Sequence, residues 1–241
     1  MARESLADKL ITKLHPKSPV SEAFRSLRTS LHFVSPNFEY RSLLVTSPGP
    51  SEGKSTVISN LAVSLAQTGK SVLVIDADLR KPSQHKVFGI VNSAGLTNVL
   101  VGERDFESLF QDAGVENLKV LTSGPIPPNP AELLDTPMMR ALIKEATEKF
   151  DFVLVDSPPV LPITDAAVLA SQVDGILLIV KSGQTRINLA KEAKDMLENA
   201  RGKIVGVILN QIRYDGDDYR YYYYYGHGRD RKQDAKPTVS A

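Results

Sequence analysis

The run Thr46-Ser47-Pro48-Gly49-Pro50-Ser51-Glu52-Gly53-Lys54-Ser55-Thr56 holds the residue types of polyphosphate chemistry. An apolar run, Leu43-Leu44-Val45, leads in, and a helix-patterned run beginning Val57-Ile58-Ser59 leads out. Strand, small-residue loop and helix are the context in which a phosphate loop has physical meaning. Backbone N–H groups of the loop can wrap a polyphosphate, and the free N–H groups opening the helix add partial positive charge. Gly49, Pro50, Ser51, Glu52, Gly53, Lys54, Ser55 and Thr56 are therefore the expected nucleotide cradle. Lys54 supplies a cation for the β- and γ-phosphates, and Ser55 a hydroxyl for Mg²⁺. The pattern G-x-x-x-x-G-K-[ST] is met imperfectly: Pro48 stands at its first glycine, Gly49 comes one place late, and Pro50 stiffens the middle.

Two further apolar runs end in acids. Val72-Leu73-Val74-Ile75 leads to Asp76-Ala77-Asp78-Leu79-Arg80-Lys81-Pro82, and Phe152-Val153-Leu154-Val155 to Asp156-Ser157-Pro158-Pro159. A carboxylate at the buried end of a strand is costly unless a cation waits there. Asp156, with Ser55, is the expected magnesium holder. Of Asp76 and Asp78, which a strand would point to one side, one stands by the metal's waters and the other takes the proton of an attacking hydroxyl. Asp78 joins Ser55 and Asp156 in the expected metal set. Arg80 and Lys81 neutralise a transferred phosphoryl group, reach another subunit, or are plain surface charges. Asn210 ends the last apolar run, where a carboxamide either reads a purine edge or starts a turn. Asp165 is expected to cap or support the site.

These residues must be brought together by a scaffold. Strand candidates at 42–46, 72–76, 118–122, 152–156, 176–181 and 204–209 alternate with helical patterns near 55–69, 105–112, 131–149, 163–172 and 187–200. Several strands are continuously apolar, as parallel strands covered on both faces are. The alternation predicts an α/β fold, a doubly wound, mostly parallel sheet of the P-loop NTPase kind in three α/β/α layers. Its ligands belong at the carboxyl ends of the strands. The proline-rich segment Ser123 to Pro130 is neither helix nor interior strand; it is a wall of the pocket or a stiff connector.

At 241 residues the chain suits one such domain. Residues 1–17 read as a weakly ordered arm or an edge element, 18–210 as the nucleotide-binding domain and 211–241 as a tail. Ser18-Pro19 opens a helix to about Phe33, carrying Glu22, Arg25 and Arg28 at steps of three. Charge pairing alone makes that set a solvated face. The net charge of +1 gives no global attraction to nucleic acid or an anionic membrane. The absence of cysteine excludes thiol chemistry and disulfides. With no secretory h-region and no apolar run near the ~20 residues that span a bilayer, the expected location is cytoplasmic, and any membrane role comes through a partner.

Seven of the eight tyrosines lie after Asn210, among them Tyr219 and the run Tyr221, Tyr222, Tyr223, Tyr224 and Tyr225. Neither a half-buried strand nor a core helix spaces aromatics this way. The run is a set of phosphate-accepting hydroxyls, or else an aggregation-prone edge or stacking surface.

Together, the phosphate loop, Val74-Ile75-Asp76-Ala77-Asp78-Leu79-Arg80-Lys81-Pro82, Val155-Asp156-Ser157-Pro158-Pro159 and the tyrosine cluster resemble the bacterial protein-tyrosine kinases of capsular and exopolysaccharide synthesis. The resemblance covers nearly the whole chain. It implies Lys54 and Ser55 as the Walker A pair, Asp76 and Asp78 as the A′ acids, Asp156 as the Walker B acid, and ATP with Mg²⁺. It also implies that Glu22, Arg25 and Arg28, matching E-x-x-R-x-x-R, form the interface of a ring homo-oligomer. Ser51 stands where many relatives have glycine, which changes loop freedom without abolishing phosphate binding. Implied partners are a transmembrane modulator on a separate chain, holding the kinase at the inner face of the membrane, and a cognate tyrosine phosphatase. The expected function is Mg²⁺-ATP-dependent autophosphorylation of the tail, regulating polysaccharide synthesis or export. The alternatives are a partitioning or cell-division-type ATPase of the same fold and a nucleotide-sensing scaffold.

Overall fold

The computed structural model describes residues 6–34 and 40–212. Seven strands form one sheet: β1 (Ser42–Thr46), β2 (Val72–Asp76), β3 (Gln111–Asp112), β4 (Leu118–Leu121), β5 (Phe152–Asp156), β6 (Gly175–Lys181) and β7 (Ile204–Asn210). Their order is β3-β4-β2-β5-β1-β6-β7, with β3 antiparallel to β4 and every other pairing parallel. The helices are α1 (Ile11–Leu14), α2 (Pro19–Val34), α3 (Lys54–Ala66), α4 (Gln84–Phe88), α5 (Leu96–Leu100), α6 (Pro130–Leu134), α7 (Pro137–Lys149), α8 (Asp165–Ala170) and α9 (Ile187–Asn199).

The apolar strands are filled on both faces, which explains their lack of alternation. Leu44, Leu73, Ile75, Val153 and Val155 join the core formed with α7, α8 and α9. Their neighbours Leu43, Val45, Val72, Val74 and Leu154 pack on the other face against Val57, Ile58 and Leu61 of α3. The expected strands differ from these only at their ends.

Three departures have local causes. Residues 6–14, expected as an arm or edge element, fold as a 3-10 turn (Leu6–Lys9) and α1 docked on α3. The side chain of Asn60 explains this: its Oδ1 accepts from Thr12 N and Oγ1 at 2.8 and 3.0 Å, and its Nδ2 donates to Lys9 O at 2.7 Å. The helix expected over 105–112 is instead a 3-10 turn (Glu107–Leu109) followed by β3. Phe106 and Phe110 imitate helical spacing, but Phe110 packs edge-on to both Phe106 and Phe150. The long pattern 131–149 is two helices. Pro137 holds Thr136 extended, at φ −75° and ψ 152°, and the Thr136 side chain then caps α7. The proline-rich segment is irregular up to Pro130, as expected, and is braced on residues 92–98, where Leu96 N donates to Thr122 O and Gly124 N to Asn92 Oδ1. The tyrosine tail, with Tyr219 and Tyr221 to Tyr225, lies outside the described residues.

Candidate active site

Sheet register alone assembles the acids. Asp76 and Asp156 are the last residues of β2 and β5, and the parallel register pairs them on strands about 4.8 Å apart. Both are fully buried. Each has one satisfied oxygen. Asp76 Oδ2 accepts from the backbone N–H of Ser83 and Gln84 at 3.0 and 2.9 Å. Asp156 Oδ2 accepts from Gln84 Nε2 at 2.6 Å. The Oδ1 atoms of both are buried with no protein partner. Burial raises the pKa of Asp156 to about 6, against the opposing pull of the Lys54 charge and of hydrogen bonds from Gln84 and Ser55. Burial, then the charge of Asp156, holds Asp76 well above the ordinary carboxylate range. Asp78, half-buried, lies close enough for its charge to disfavour ionisation of both, and its Oδ1 accepts from Lys81 N at 2.9 Å.

The phosphate loop connects β1 to α3, and buried Lys54 opens that helix. Gly53 has φ +93°, the left-handed region natural to glycine, and a Cβ there would strike the Asn210 side chain. Ser51 also has a positive φ, +62°, so the position where the resemblance puts glycine carries a strain of about 1 kcal/mol. Glu52 is turned inward and holds the loop's shape. Its Oε1 accepts from Gly49 N at 2.9 Å, and its Oε2 from Lys181 N and Thr185 Oγ1 at 3.2 and 2.9 Å. Asn210 donates from Nδ2 to Glu52 O at 2.8 Å, and its Oδ1 accepts from Gln211 N. The carboxamide expected to read a purine edge thus lies against the phosphate loop and grips its backbone.

The remaining candidates divide. Arg80 is held by Asp165, with Nε to Oδ2 at 2.8 Å and Nη2 to Oδ1 at 3.0 Å. Asp165 is fully buried, so the pair fixes the guanidinium just beyond the acids. Arg80→Ala would strand that carboxylate in the interior. The expected loss is about 2–3 kcal/mol, below the usual cost for a fully buried pair because the guanidinium is partly exposed. Thermal melts check this; Asp165→Asn, which leaves no buried charge, is expected to cost less. Glu22, Arg25 and Arg28 do not share one presentation. Exposed Glu22 pairs with Arg25 at 2.7 Å, whereas Arg28 turns onto α3 and donates to Ser64 O at 2.7 Å. A cleft of about 310 Å³, lined by Leu31, Tyr40, Leu43, Leu65 and Phe152 among others, lies at the amino ends of β1 and β5, away from this chemistry.

Whether the site suits Mg²⁺ follows from its donors. Among the described residues no three acidic, histidine or cysteine side chains converge to hold an ion unaided. Two orphaned carboxylate oxygens at one sheet edge, with the Ser55 hydroxyl next to Asp156, match the usual arrangement, in which one or two carboxylates and the substrate's phosphates share the ion. The residues fit: Ser55 and Asp156 could hold it, and the orphaned Asp76 Oδ1 at the same edge is a further candidate beside the expected Asp78, whose Oδ1 already accepts from Lys81 N. Sequence reasoning missed Gln84, which touches both acids. It sits in a helix too short to show periodicity, and only its closeness to Asp76 in sequence hinted at it.

Comparison with known proteins accords with this geometry. Residues 41–239 match the ParA family described as NUBPL iron-transfer P-loop NTPases. The chain is 45% identical over 201 residues to the tyrosine-protein kinase YwqD of Bacillus subtilis (strain 168), covering 83% of this chain and 85% of that protein. It superposes on the kinase domain of the Escherichia coli tyrosine kinase ETK with a TM-score of 0.83 at 37% identity, covering 86% of this chain and 82% of that one. The septum site-determining protein MinD of Pyrococcus horikoshii, solved with Mg-ADP, is less similar, with a TM-score of 0.62 at 26% identity over 70% of this chain and 69% of that one. With its nucleotide loop and carboxylates at one edge of a P-loop NTPase sheet, the chain belongs to the bacterial tyrosine-protein kinases.

Proposed function

We propose that this kinase transfers the γ-phosphoryl group of Mg²⁺-ATP to tyrosines of its own tail, Tyr219 and Tyr221 to Tyr225. The observation that carries this reading is the pairing of Asp76 with Asp156 beside Lys54 and Ser55, at the same edge where β7 ends on the phosphate loop through Asn210. The backbone of Gly49 to Thr56 cradles the phosphates, and Lys54 places its cation on the β- and γ-phosphates. Ser55 and Asp156, with Asp76 beside them, would hold magnesium, which would supply charge neutralisation on those phosphates. The phenolic oxygen attacks the γ-phosphorus, the bond to the β-bridging oxygen breaks, and ADP leaves with that electron pair. The phenolic proton passes to a carboxylate. Asp78 suits this task better than Asp76, because it is half-buried at the mouth while Asp76 is sealed inside. Arg80, set by Asp165, faces charge developing on the transferred group.

The tail's reach allows transfer within or between subunits. Roughly 11 residues separate Asn210 from Tyr221, up to about 36 Å at ~3.3 Å each. Exposed Glu22 and half-buried Arg25 supply the outward contact of a ring, with transfer between neighbours. A phosphorylated tail adds about −1.5 to −2 charges per tyrosine, is repelled by the acids, and loosens the ring. No helix among the described residues is long and apolar enough to cross a membrane. Recruitment to the inner membrane face is assigned to a separate transmembrane modulator. A cognate phosphatase resets the tail, and polysaccharide synthesis or export is the regulated process.

Labelled ATP tests the reading: phosphotyrosine should appear on the tail, whereas release of free phosphate alone would point to a partitioning-type hydrolase. Changing the tail tyrosines to Phe should abolish self-labelling yet leave phosphorylation of an added tyrosine peptide. Native mass spectrometry of the phosphorylated and Tyr→Phe forms should then show smaller assemblies only for the former.

A further inference from the structure

We propose that Gln84 is the positioning residue of the magnesium centre, a single side chain and its own backbone N–H fixing which oxygen of each buried acid is left for the ion. The inference rests on the metal site described above. Gln84 is fully buried, so its amide must find partners inside the protein. Its backbone N–H donates to Asp76 Oδ2 at 2.9 Å, and its Nε2 donates to Asp156 Oδ2 at 2.6 Å. Those bonds occupy the Oδ2 atoms and leave both Oδ1 atoms without a protein partner. On its other side, Oε1 accepts from Ser59 Oγ at 2.7 Å, which orients the amide with its nitrogen toward the acid. Ser59 lies one helical turn after Ser55, and its single hydroxyl proton is shared between Gln84 Oε1 and Ser55 O, the latter 2.5 Å away. Asp156, Gln84, Ser59 and Ser55 thus form one chain of contacts tying the acid on β5 to the Ser55 carbonyl in the first turn of α3.

A purely packing residue would need none of this polarity. The chemistry of Gln84 is that of a group whose partners are metal ligands, where loss of the supporting bond typically lowers metal affinity about 10–100-fold. Its backbone bond to Asp76 survives any side-chain change, so a substitution isolates the Asp156 contact.

The test is a Mn²⁺ titration followed by electron paramagnetic resonance, with ADP present, on the full chain. Gln84→Met, close in length but without a donor, should weaken Mn²⁺ binding about 10–100-fold while metal-free ADP binding stays within about two-fold. Ser59→Ala, which frees the amide from its outer anchor, should weaken Mn²⁺ several-fold. Unchanged Mn²⁺ affinity in a folded Gln84→Met protein overturns the proposal. If that variant does not fold, unchanged affinity in Ser59→Ala overturns it. Failure of the parent protein to bind Mn²⁺ with ADP would bring down the metal centre itself, a result distinct from either.

Discussion

Lys54→Met should lower the rate of phosphotyrosine formation by about 10²–10³-fold, the usual loss when one preorganised charge or donor facing a transition state is removed. The position makes the effect specific. Lys54 opens α3 and is buried, so its cation acts where water does little screening and its loss cannot be made good by solvent. Two buried acids already share the site, and the Lys54 charge is the main counterweight to the desolvation of Asp156. Without it, Asp156 should hold its proton to still higher pH, so the variant is impaired both in gripping the phosphates and in presenting a carboxylate to the ion. The fold should survive, because a proton on Asp156 relieves the charge that the lysine had offset, and methionine fills similar space. The measurement is a labelled-ATP time course beside a thermal melt. A folded variant with more than about a tenth of parental activity would remove Lys54 from the catalytic centre.

The sheet was legible in the sequence because buried parallel strands and terminal acids obey strong, local rules. Once Val72–Ile75 and Phe152–Val155 are taken as strands, Asp76 and Asp156 end at one edge, and the observed register pairs them. What escaped reading depends on the chain folding back on itself. Gln84 acts through a turn after β2, where a five-residue helix gives no periodic pattern. Asn60 is an ordinary interior helix residue until α1 arrives to take up its amide. Phe106 and Phe110 share helical spacing, yet tertiary packing on Phe150 uses them in a turn. Arg28 repeats the spacing of Glu22 and Arg25, but the nearby Ser64 carbonyl captures its guanidinium. In each case the sequence shows the residue's capacity and the partner decides its use. Asn210 illustrates the same point within the site, since its amide suits a base edge or a backbone carbonyl and here grips Glu52 O.

Asp156→Asn should separate stability from catalysis in opposite directions. Phosphotyrosine formation should fall by about 10²–10³-fold, because the neutral amide cannot replace the carboxylate at the ion. The metal-free protein, by contrast, should become more stable at neutral pH. The sign follows from linkage: the folded state holds the Asp156 pKa at about 6, above its ordinary value of 3.8. Below about pH 3.8 the acid is protonated folded and unfolded alike and contributes nothing. Between these values the unfolded chain releases a proton that the folded chain keeps, so stability falls as pH rises, and above about 6 the whole cost is present. At about 1.4 kcal/mol per unit, the burden at neutral pH is on the order of 2–3 kcal/mol. Asparagine removes it while its Oδ1 can still accept from Gln84 Nε2. It also removes the charge that helps raise Asp76, adding to the gain. With 2–4 °C per kcal/mol for a domain of this size, melting in metal-free buffer at pH 7.5 should rise by roughly 5–10 °C, and at pH 3.5 the two proteins should melt together. A variant that melts below the parent at pH 7.5 would mean that Asp156 is a structural acid. The predicted gain instead marks it as a site kept costly for its ion, its burial offset only when metal and nucleotide arrive.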